Sequence, residues 1–593
     1  MKAVVDILEE RIIAVMAAVS GKEDCAAIVR QATDTKFGDY QVNGVMGLAK
    51  QLKTNPRKLA EEIVNKLDLS DICEPPDVAG PGFINLRLKP DFIAMSLCDI
   101  NEQEHSGIEK VKKPHTIVVD FSSPNIAKQM HVGHLRSTII GDCICRMLEF
   151  LGHNVIRQNH IGDWGLQMGM LLALSDEFKR KAGGSEFDLY IPSITKLEEL
   201  ESLYKEANKR CETDPDFEQK ARQFTYDLQK YDMFAREQWR ILKKLTLNEC
   251  NHIYKQLSVI LNDCDIRGES FYADKLANVV EELKNKGIAV ESDGAICVFP
   301  EGFKNKEGER LPFIVQKSDG AYLYATTDLA AIRYRINELK ADAIIYVTDS
   351  RQKLHFEMLF AVARMAGWVG DNVELSHVMF GSVLGEDGSP LKTRSGENVK
   401  LKDLLEEAIQ RAKVVVEEKN PELPQDKKEQ IAKAVGIGAV KYADFSNNRT
   451  SDYVFSFDKM LAMDGNTAPY MQYAYARIKS IERKAQSKDV DIETELAGVK
   501  NLNLTEHAEL DLAKYLIRYG EAIQSAVADF RLNYLTTYLY ELAQKFSAFY
   551  TNCPVLDAGP DKRPTRLLLC DLTARTIRNG LSELLGIEVV EQM

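Results

Sequence analysis

The chain has no apolar run close to the ~20 residues that a membrane-spanning helix needs, so no helical membrane anchor is expected. It has no surplus of positive charge either: 76 Lys and Arg stand against 89 Asp and Glu, a net −13. That excludes a non-specific polyanion binder, whose footprint is broadly basic, but not an RNA ligand held on a local basic face. Its 11 cysteines include no C-x-x-C pair, which speaks against a zinc site or a disulfide frame and for a reduced, cytoplasmic setting. There is no G-x-x-x-x-G-K-[ST] loop, so the chain is not a P-loop ATPase. Internal repeats, low-complexity tracts and carboxylate clusters suited to a fixed metal are also missing. The opening MKAVVDILEERIIAVMAAV is interrupted by Asp6, Glu9, Glu10 and Arg11 at helical spacing. It therefore reads as an amphipathic helix, not as a signal or transit segment.

What is present is an ordinary globular composition spread over 593 residues, 45% hydrophobic and 28% charged. At roughly 150 residues per domain this length implies about three to five domains. Residues 1–105 read as a small α+β module. It has a polar turn over Thr33–Val45, a helix capped by Asn55 with Pro56 at its first position, and a strand within Pro75–Pro90. Residues 115–400 alternate strand and helix, with a charged, mostly helical insertion over about 176–310. The αβ rhythm resumes at Leu311–Arg335 and continues through ADAIIYVTD and LSHVMFGSVLG. Residues 401–465 read as a helical connector and 466–593 as a helical bundle. The expected architecture is α/β: a doubly wound, Rossmann-type parallel core with a helical insertion, an N-terminal α+β module and a C-terminal all-α bundle.

The stretch DFSSPNIAKQMHVGHLRSTIIGD, Asp120 to Asp142, joins a β-type run to a helical pattern through a Ser-Ser-Pro-Asn turn. It carries His131, Gly133 and His134 at the helix start. By itself His-x-Gly-His is a short motif, and two surface histidines capping a helix explain it about as well. The context favours chemistry: Pro124 fixes the turn, and Gly133 lets backbone approach a ligand. Imidazoles and backbone N–H groups at a helix N-terminus suit a triphosphate. Asp328, read alone, is an acid at a helix start after Thr326 and Thr327; Asp349, at the end of AIIYVTD, reads equally as a helix cap or as a ribose or purine ligand.

FSSPNIAKQMHVGHLRSTIIGD resembles the class I signature in the form found in arginyl-tRNA synthetases. The resemblance continues in order through Gly162-Asp163-Trp164-Gly165, Tyr322 to Asp328, Val347 to Phe356, Leu391 to Gly396, Phe445 to Arg449 and Tyr470 to Ile478. It implies an arginine–tRNA ligase: L-arginine attacks the α-phosphate of ATP, and a ribose hydroxyl of tRNA(Arg) then takes the arginyl group from the adenylate. The same resemblance places Tyr324, Asp328 and Gln352 around the guanidinium, and Asp120, Ser123, Pro124, Asn125 and His134 around the amino and carboxylate end. A planar carboxylate suits a guanidinium, which can present two N–H groups at once. Asp120 stands where the family commonly has glutamate. ATP would meet His131, Gly133, His134, Asp349, Lys392 and Ser395. The usual Lys-Met-Ser-Lys-Ser loop is replaced here by Leu391-Lys392-Thr393-Arg394-Ser395, so Lys392 and Arg394 are joined as catalytic candidates by Lys128, just ahead of the histidine pair. Magnesium is expected on the ATP phosphates, with no metal site in the protein.

For tRNA, the N-terminal module resembles the family's additional domain, with Phe37, Tyr40, Gln41 and Asn43 as candidates for a splayed loop base. In the bundle Tyr470, Tyr473 and Arg477 interleave aromatic and basic groups, as anticodon stacking requires. A helix cannot expose every residue of that run, which also holds Tyr475, Lys479 and Arg483. The expected partners are tRNA(Arg), L-arginine and ATP, without a membrane. The expected state is a cytoplasmic monomer, and service to an organelle is left open. Two other readings share some of these features. A small-molecule nucleotidyltransferase or ligase would have no use for the bundle or the N-terminal module. A non-catalytic synthetase-like RNA binder would not keep His131, His134, Lys128 and Asp328.

Overall fold

The computed structural model describes residues 2–181, 196–392, 398–488, 490–497, 499 and 502–593. The chain forms two compact units, one of residues 111–461 with 585–587, the other of residues 1–110 with 462–584 and 588–593.

The first unit is built on a parallel sheet whose strand order in space is Glu374–His377, Ala343–Tyr346, Thr116–Asp120, Asn154–Gln158. The two central strands carry Ile117, Val118, Val119, Ile344 and Ile345, all buried, as expected for strands covered on both faces. Thr116–Asp120 leads through helix Val132–Phe150 to Asn154–Gln158 on one side. Ala343–Tyr346 leads through helix Lys353–Met365 to Glu374–His377 on the other. The chain therefore leaves the C-terminal ends of the two central strands toward opposite sides of the sheet, the switch point at which such sheets take ligands.

The insertion supplies helices Leu197–Thr213, Pro215–Gln229 and Met233–Gln256. Asp214 and Asp232 cap the second and third of these by accepting from Phe217 N and Ala235 N. Leu197, Leu200, Leu228, Ala235 and Leu242 pack with Ile126, Ile161 and Met168 of the core. The last part of the insertion is not the helical stretch expected from composition. Ala289–Ser292, Ala295–Val298 and Phe313–Gln316 form a three-stranded antiparallel sheet. Asp293 and Gly294 both have positive φ, 52° and 76°, the tight-hairpin turn that an Asp-Gly pair favours. Phe313–Gln316 thus belongs to this hairpin sheet and not to the parallel one.

Helices Leu401–Lys419 and Gln425–Ser446 complete this unit. A buried ion pair, Arg136 Nε to Asp444 at 2.8 Å, joins the second of them to helix Val132–Phe150. The Arg136 guanidinium also donates to Gly381 O at 2.7 Å and lies against the rings of Phe380 and Tyr453.

The second unit holds an antiparallel sheet in the order Val29–Gln31, Tyr40–Val42, Phe83–Leu86, Asp77–Ala79. Asn55 accepts from Arg57 N and Lys58 N to start helix Pro56–Lys66, as its sequence indicates. Tyr40–Val42 is a strand inside what the sequence reads as a polar turn. Tyr40 and Val42 point inward and are fully buried, with Gln41 between them facing the other way. Helices Ala468–Ser487, His507–Leu516, Tyr519–Ala528, Leu532–Asn552 and Arg563–Arg578 form the bundle of the same unit. A polar seam joins bundle and module: Tyr40 donates to Glu521 at 2.6 Å, Lys514 pairs with Asp39 at 2.9 Å, and Arg518 lies over the Tyr40 ring.

Candidate active site

The site grows from the end of strand Thr116–Asp120. Ser122, Ser123 and Ala127 all have positive φ, at 73°, 48° and 63°, a conformation that non-glycine residues hold only when their surroundings fix it. The surroundings do fix it. Ser122 N donates to Ser137 Oγ, and the Ser122 hydroxyl bonds Thr138 and Tyr254, at 2.9 and 2.7 Å. Ser123 N donates to Asn159 Oδ1 and Ala127 N to Thr246 Oγ1, each at 3.0 Å. Pro124 O accepts from Gly162 N, and Gly162 O accepts from Ile126 N. The Asn125 side chain lies over Gly162, its Oδ1 2.0 Å from where a Cβ would stand, so a larger residue there would displace the Asn125 amide. Asn125 itself is exposed at the turn and Ser123 is half-buried.

His131 and His134 open helix Val132–Phe150 by capping it reciprocally. His131 Nδ1 accepts from Gly133 N at 3.0 Å, and His134 Nδ1 accepts from His131 N at 3.1 Å. Each neutral ring therefore carries its proton on Nε2, leaving one N–H donor per ring. Burial first, and then the neighbouring His131, push His134 down to about 3. Burial and the nearby Lys128 hold His131 below the usual imidazole value. The two rings lie 4.0 Å apart at their centroids. Both are uncharged donors at neutral pH. A Cβ on Gly133 would meet the His131 ring at 2.7 Å, so glycine keeps this ring in place.

Lys128 is half-buried, with its ammonium 4.9 Å from the centre of the Tyr204 ring on helix Leu197–Thr213. Of the catalytic-loop candidates, Lys392 comes to the same place through backbone pairing. Val132 N donates to Val399 O, Leu401 N donates to Met130 O, and Lys392 bridges Asn398. Lys392 is exposed, whereas Arg394 and Ser395 lie outside the described residues.

On the other side of the crevice, Asp328 and Tyr324 lie on helix Tyr324–Asn337. Asp328 Oδ2 is 2.7 Å from His355 Nε2, and Tyr324, which is 63% exposed, lies with its ring 5.0 Å from the His355 ring. Gln352 is exposed at the start of helix Lys353–Met365. Glu269 is a further carboxylate here that the sequence did not single out. Burial, and then the charges of Asp163 and Asp328, push it up to about 7. No local pattern in Gly268-Glu269-Ser270 marks it; only folding brings it near Asp328.

Asp120 is paired within the protein. It is buried, and Arg335, itself fully buried, holds its Oδ2 at 2.5 Å while Ser123 donates to Oδ1. Arg335 also donates to Gln158 at 2.6 Å and lies against the Tyr346 ring. The carboxylate is engaged by its own protein at both oxygens. Asp349 caps the turn after Ala343–Tyr346 and pairs with Arg351 at 2.8 Å. Burial is the largest influence on it and acts upward, yet the bonds and charge of Arg351 hold it below the ordinary carboxylate value. Asp163 of Gly162-Asp163-Trp164-Gly165 is fully buried and binds Lys243, Ser270 N and the Ser270 hydroxyl, which ties the insertion to the core. His377 bonds Thr348 Oγ1 at 2.8 Å, and burial pushes it down to about 4. His160 stacks on Tyr272.

Among the tRNA candidates, Tyr40 departs from the expected place at the surface. It is fully buried with its hydroxyl on Glu521 and has no surface to offer a base. Phe37, Gln41 and Asn43 are half-buried, and Gln41 donates to Asn85 at 2.9 Å. In the bundle, Tyr470, Tyr473 and Arg477 share one face of helix Ala468–Ser487, while Met471, Tyr475 and Ile478 are buried. Tyr540 and Tyr550, from another helix, join that face: Tyr470 lies 5.6 Å from Tyr540, and the Arg477 guanidinium 4.7 Å from the Tyr550 ring.

Three families match in order: the arginyl tRNA synthetase N-terminal domain over 6–88, the class I (R) tRNA synthetase catalytic domain over 97–457, and the DALR anticodon-binding domain over 471–593. An arginine–tRNA ligase of a Synechococcus species is 50% identical over 593 residues, covering 99% of each chain. That of Proteus mirabilis is 48% identical over 587 residues, again covering 99% of each. The arginyl-tRNA synthetase structure from Plasmodium falciparum superposes with a TM-score of 0.83 at 32% identity, and that from Thermus thermophilus with 0.80 at 26%, each covering the whole of both chains.

Proposed function

This chain belongs to the arginyl-tRNA synthetase family, and from that premise we propose how its residues share the work. It ligates L-arginine to tRNA(Arg) in two steps driven by ATP. In the first, a carboxylate oxygen of arginine bonds to the α-phosphorus and the bond to pyrophosphate breaks. In the second, a hydroxyl oxygen of the terminal ribose bonds to the activated carbonyl carbon and AMP leaves.

The observation that carries the division of roles is the contrast across the crevice. His131 and His134 offer uncharged N–H donors at a helix N-terminus, while Asp328 and Glu269 offer carboxylates opposite. Neutral donors suit phosphate oxygens whose charge grows in the transition state. Asp328, with Tyr324, Gln352 and Glu269, takes the guanidinium; Ser123, Pro124 and Asn125 frame the carboxylate end next to His134. Asp120 acts behind them, holding Ser123. Lys128 supplies a positive charge to the phosphates together with Lys392, Arg394 and Ser395, and Asp349 faces the ribose. Among the described residues, no group of His, Cys, Asp or Glu converges on a metal-sized site. Magnesium in this reading travels with the ATP phosphates, where it neutralises charge. Phe37, Gln41 and Asn43 serve one part of the tRNA and Tyr470, Tyr473 and Arg477 the anticodon bases. We take the enzyme as a cytoplasmic monomer.

Exchange of labelled pyrophosphate into ATP tests the assignment. Exchange should require L-arginine and, given the altered 391–395 loop, should be slight without tRNA(Arg). Fast exchange with arginine and ATP alone would overturn the shared-lysine reading.

A further inference from the structure

Asp328 does not stand alone. His355 Nε2 lies 2.7 Å from its Oδ2, and both side chains are four-fifths or more buried, at 16% and 20% exposure. The imidazole is itself confined on three sides. It stacks on Phe313 at 5.9 Å with 21° between planes, meets Tyr324 at 5.0 Å, and abuts Phe356 edge-on at 5.3 Å. Those rings come from the hairpin sheet, from the helix carrying Asp328, and from the helix carrying His355. An imidazole held in this way cannot turn freely, so the carboxylate oxygen it bonds is fixed as well.

We propose that His355 is a positioning residue for arginine selection, holding the Asp328 carboxylate in the plane that a guanidinium can bind through two N–H groups. The inference rests on the reading that Asp328 binds the guanidinium. A carboxylate free to rotate about its last bond still attracts any cation, through charge alone. One whose plane is fixed favours a planar, two-pronged donor over the point charge of an ammonium. The His355 bond occupies one lone pair of Oδ2 and leaves Oδ1 and the other lone pair of Oδ2 for the ligand. Glutamine can replace this function in part, since its amide N–H reaches a neighbouring carboxylate; alanine cannot.

Arginine activation by the full-length enzyme with tRNA(Arg) present is the measurement, with kcat and the KM for arginine separated. His355→Ala should raise the KM for arginine at least about tenfold, leave kcat within about threefold, and weaken inhibition by arginine analogues far more than inhibition by lysine. His355→Gln should recover most of the lost affinity. In an Asp328→Asn background, His355→Ala should add nothing further to the KM. An unchanged KM in folded His355→Ala, or equal losses in the alanine and glutamine variants, overturns the positioning role. If Asp328→Asn itself leaves the KM for arginine untouched, the guanidinium reading falls and this role with it. A KM raised in Asp328→Asn but not in His355→Ala removes the positioning role alone.

Discussion

The two walls of the crevice, in the roles we propose for them, are opposite in kind. On the phosphate wall the fixed framework carries no charge: His131 and His134 are locked by their Nδ1 atoms to backbone N–H groups, and His134 stays neutral far below physiological pH. On the arginine wall the framework is charged, with Asp328 on His355 and Glu269 close by, and even the strand end is an ion pair, Asp120 with Arg335. The substrates explain the difference. Arginine is a permanent cation of fixed shape, and a fixed carboxylate can match it before it arrives. The triphosphate changes its charge distribution during reaction, so rigid neutral donors combined with cations on Lys128 and the 391–395 loop can follow it without holding the ground state too tightly.

If this contrast is sound, substitutions on each wall should separate in kinetics. The largest effect is expected for Asp328→Ala: a loss of about 10³-fold in kcat/KM for arginine with the KM for ATP little changed, measured by pyrophosphate exchange. His134→Ala should lower kcat about 10²-fold while the KM for arginine stays within a factor of about three, the loss of one transition-state donor. A rise in the arginine KM equal to the fall in kcat would erase the division between the walls. Lys128→Ala should slow exchange about tenfold, and less in high salt, because a partly exposed charge is screened; exchange at the unaltered rate would remove it from the phosphate wall. The smallest effect is in pH. Glu269, pushed up to about 7, is mostly protonated below that pH and ionised above it. The KM for arginine should therefore fall about three- to tenfold between pH 6 and 8, and Glu269→Gln should flatten that slope. His134, held down to about 3, stays neutral throughout that range and should add no pH dependence to the KM for ATP.

The sequence shows these walls unequally. His131, Gly133 and His134 are local: strand, turn, cap and helix follow each other within about twenty residues, so spacing alone exposes their setting. The Asn55 cap and the helices of the bundle are legible for the same reason. The Asp293-Gly294 hairpin was equally local and its turn signal was there, but the charged helical stretch before it masked the change of period. Tyr40 looks like a turn residue in sequence because a three-residue strand is too short for alternation to show. Asp120 with Arg335, 215 residues apart, and Glu269 with Asp328 are brought together only by tertiary packing. A charged residue whose partner is that remote looks, in sequence, like any charge offered to a ligand.

The strained turn at Ser122–Ala127 has a consequence for the chain during its synthesis. Two of the bonds that hold it come from helix Met233–Gln256: Thr246 lies 119 residues beyond Ala127, and Tyr254 lies 132 residues beyond Ser122. At about 5–20 residues per second, the signature segment leaves the ribosome roughly 6 to 26 s before its fastenings do. Until they arrive, Ser122 and Ser123 have their bonds to Ser137, Thr138 and Asn159, but Ala127 lacks the one to Thr246 that helps hold it in the left-handed region. The nucleotide pocket is thus finished only after the insertion has been made and docked. A nascent chain cut short before residue 246 would hold every motif of the first βαβ unit and still lack two of the bonds that fasten this turn.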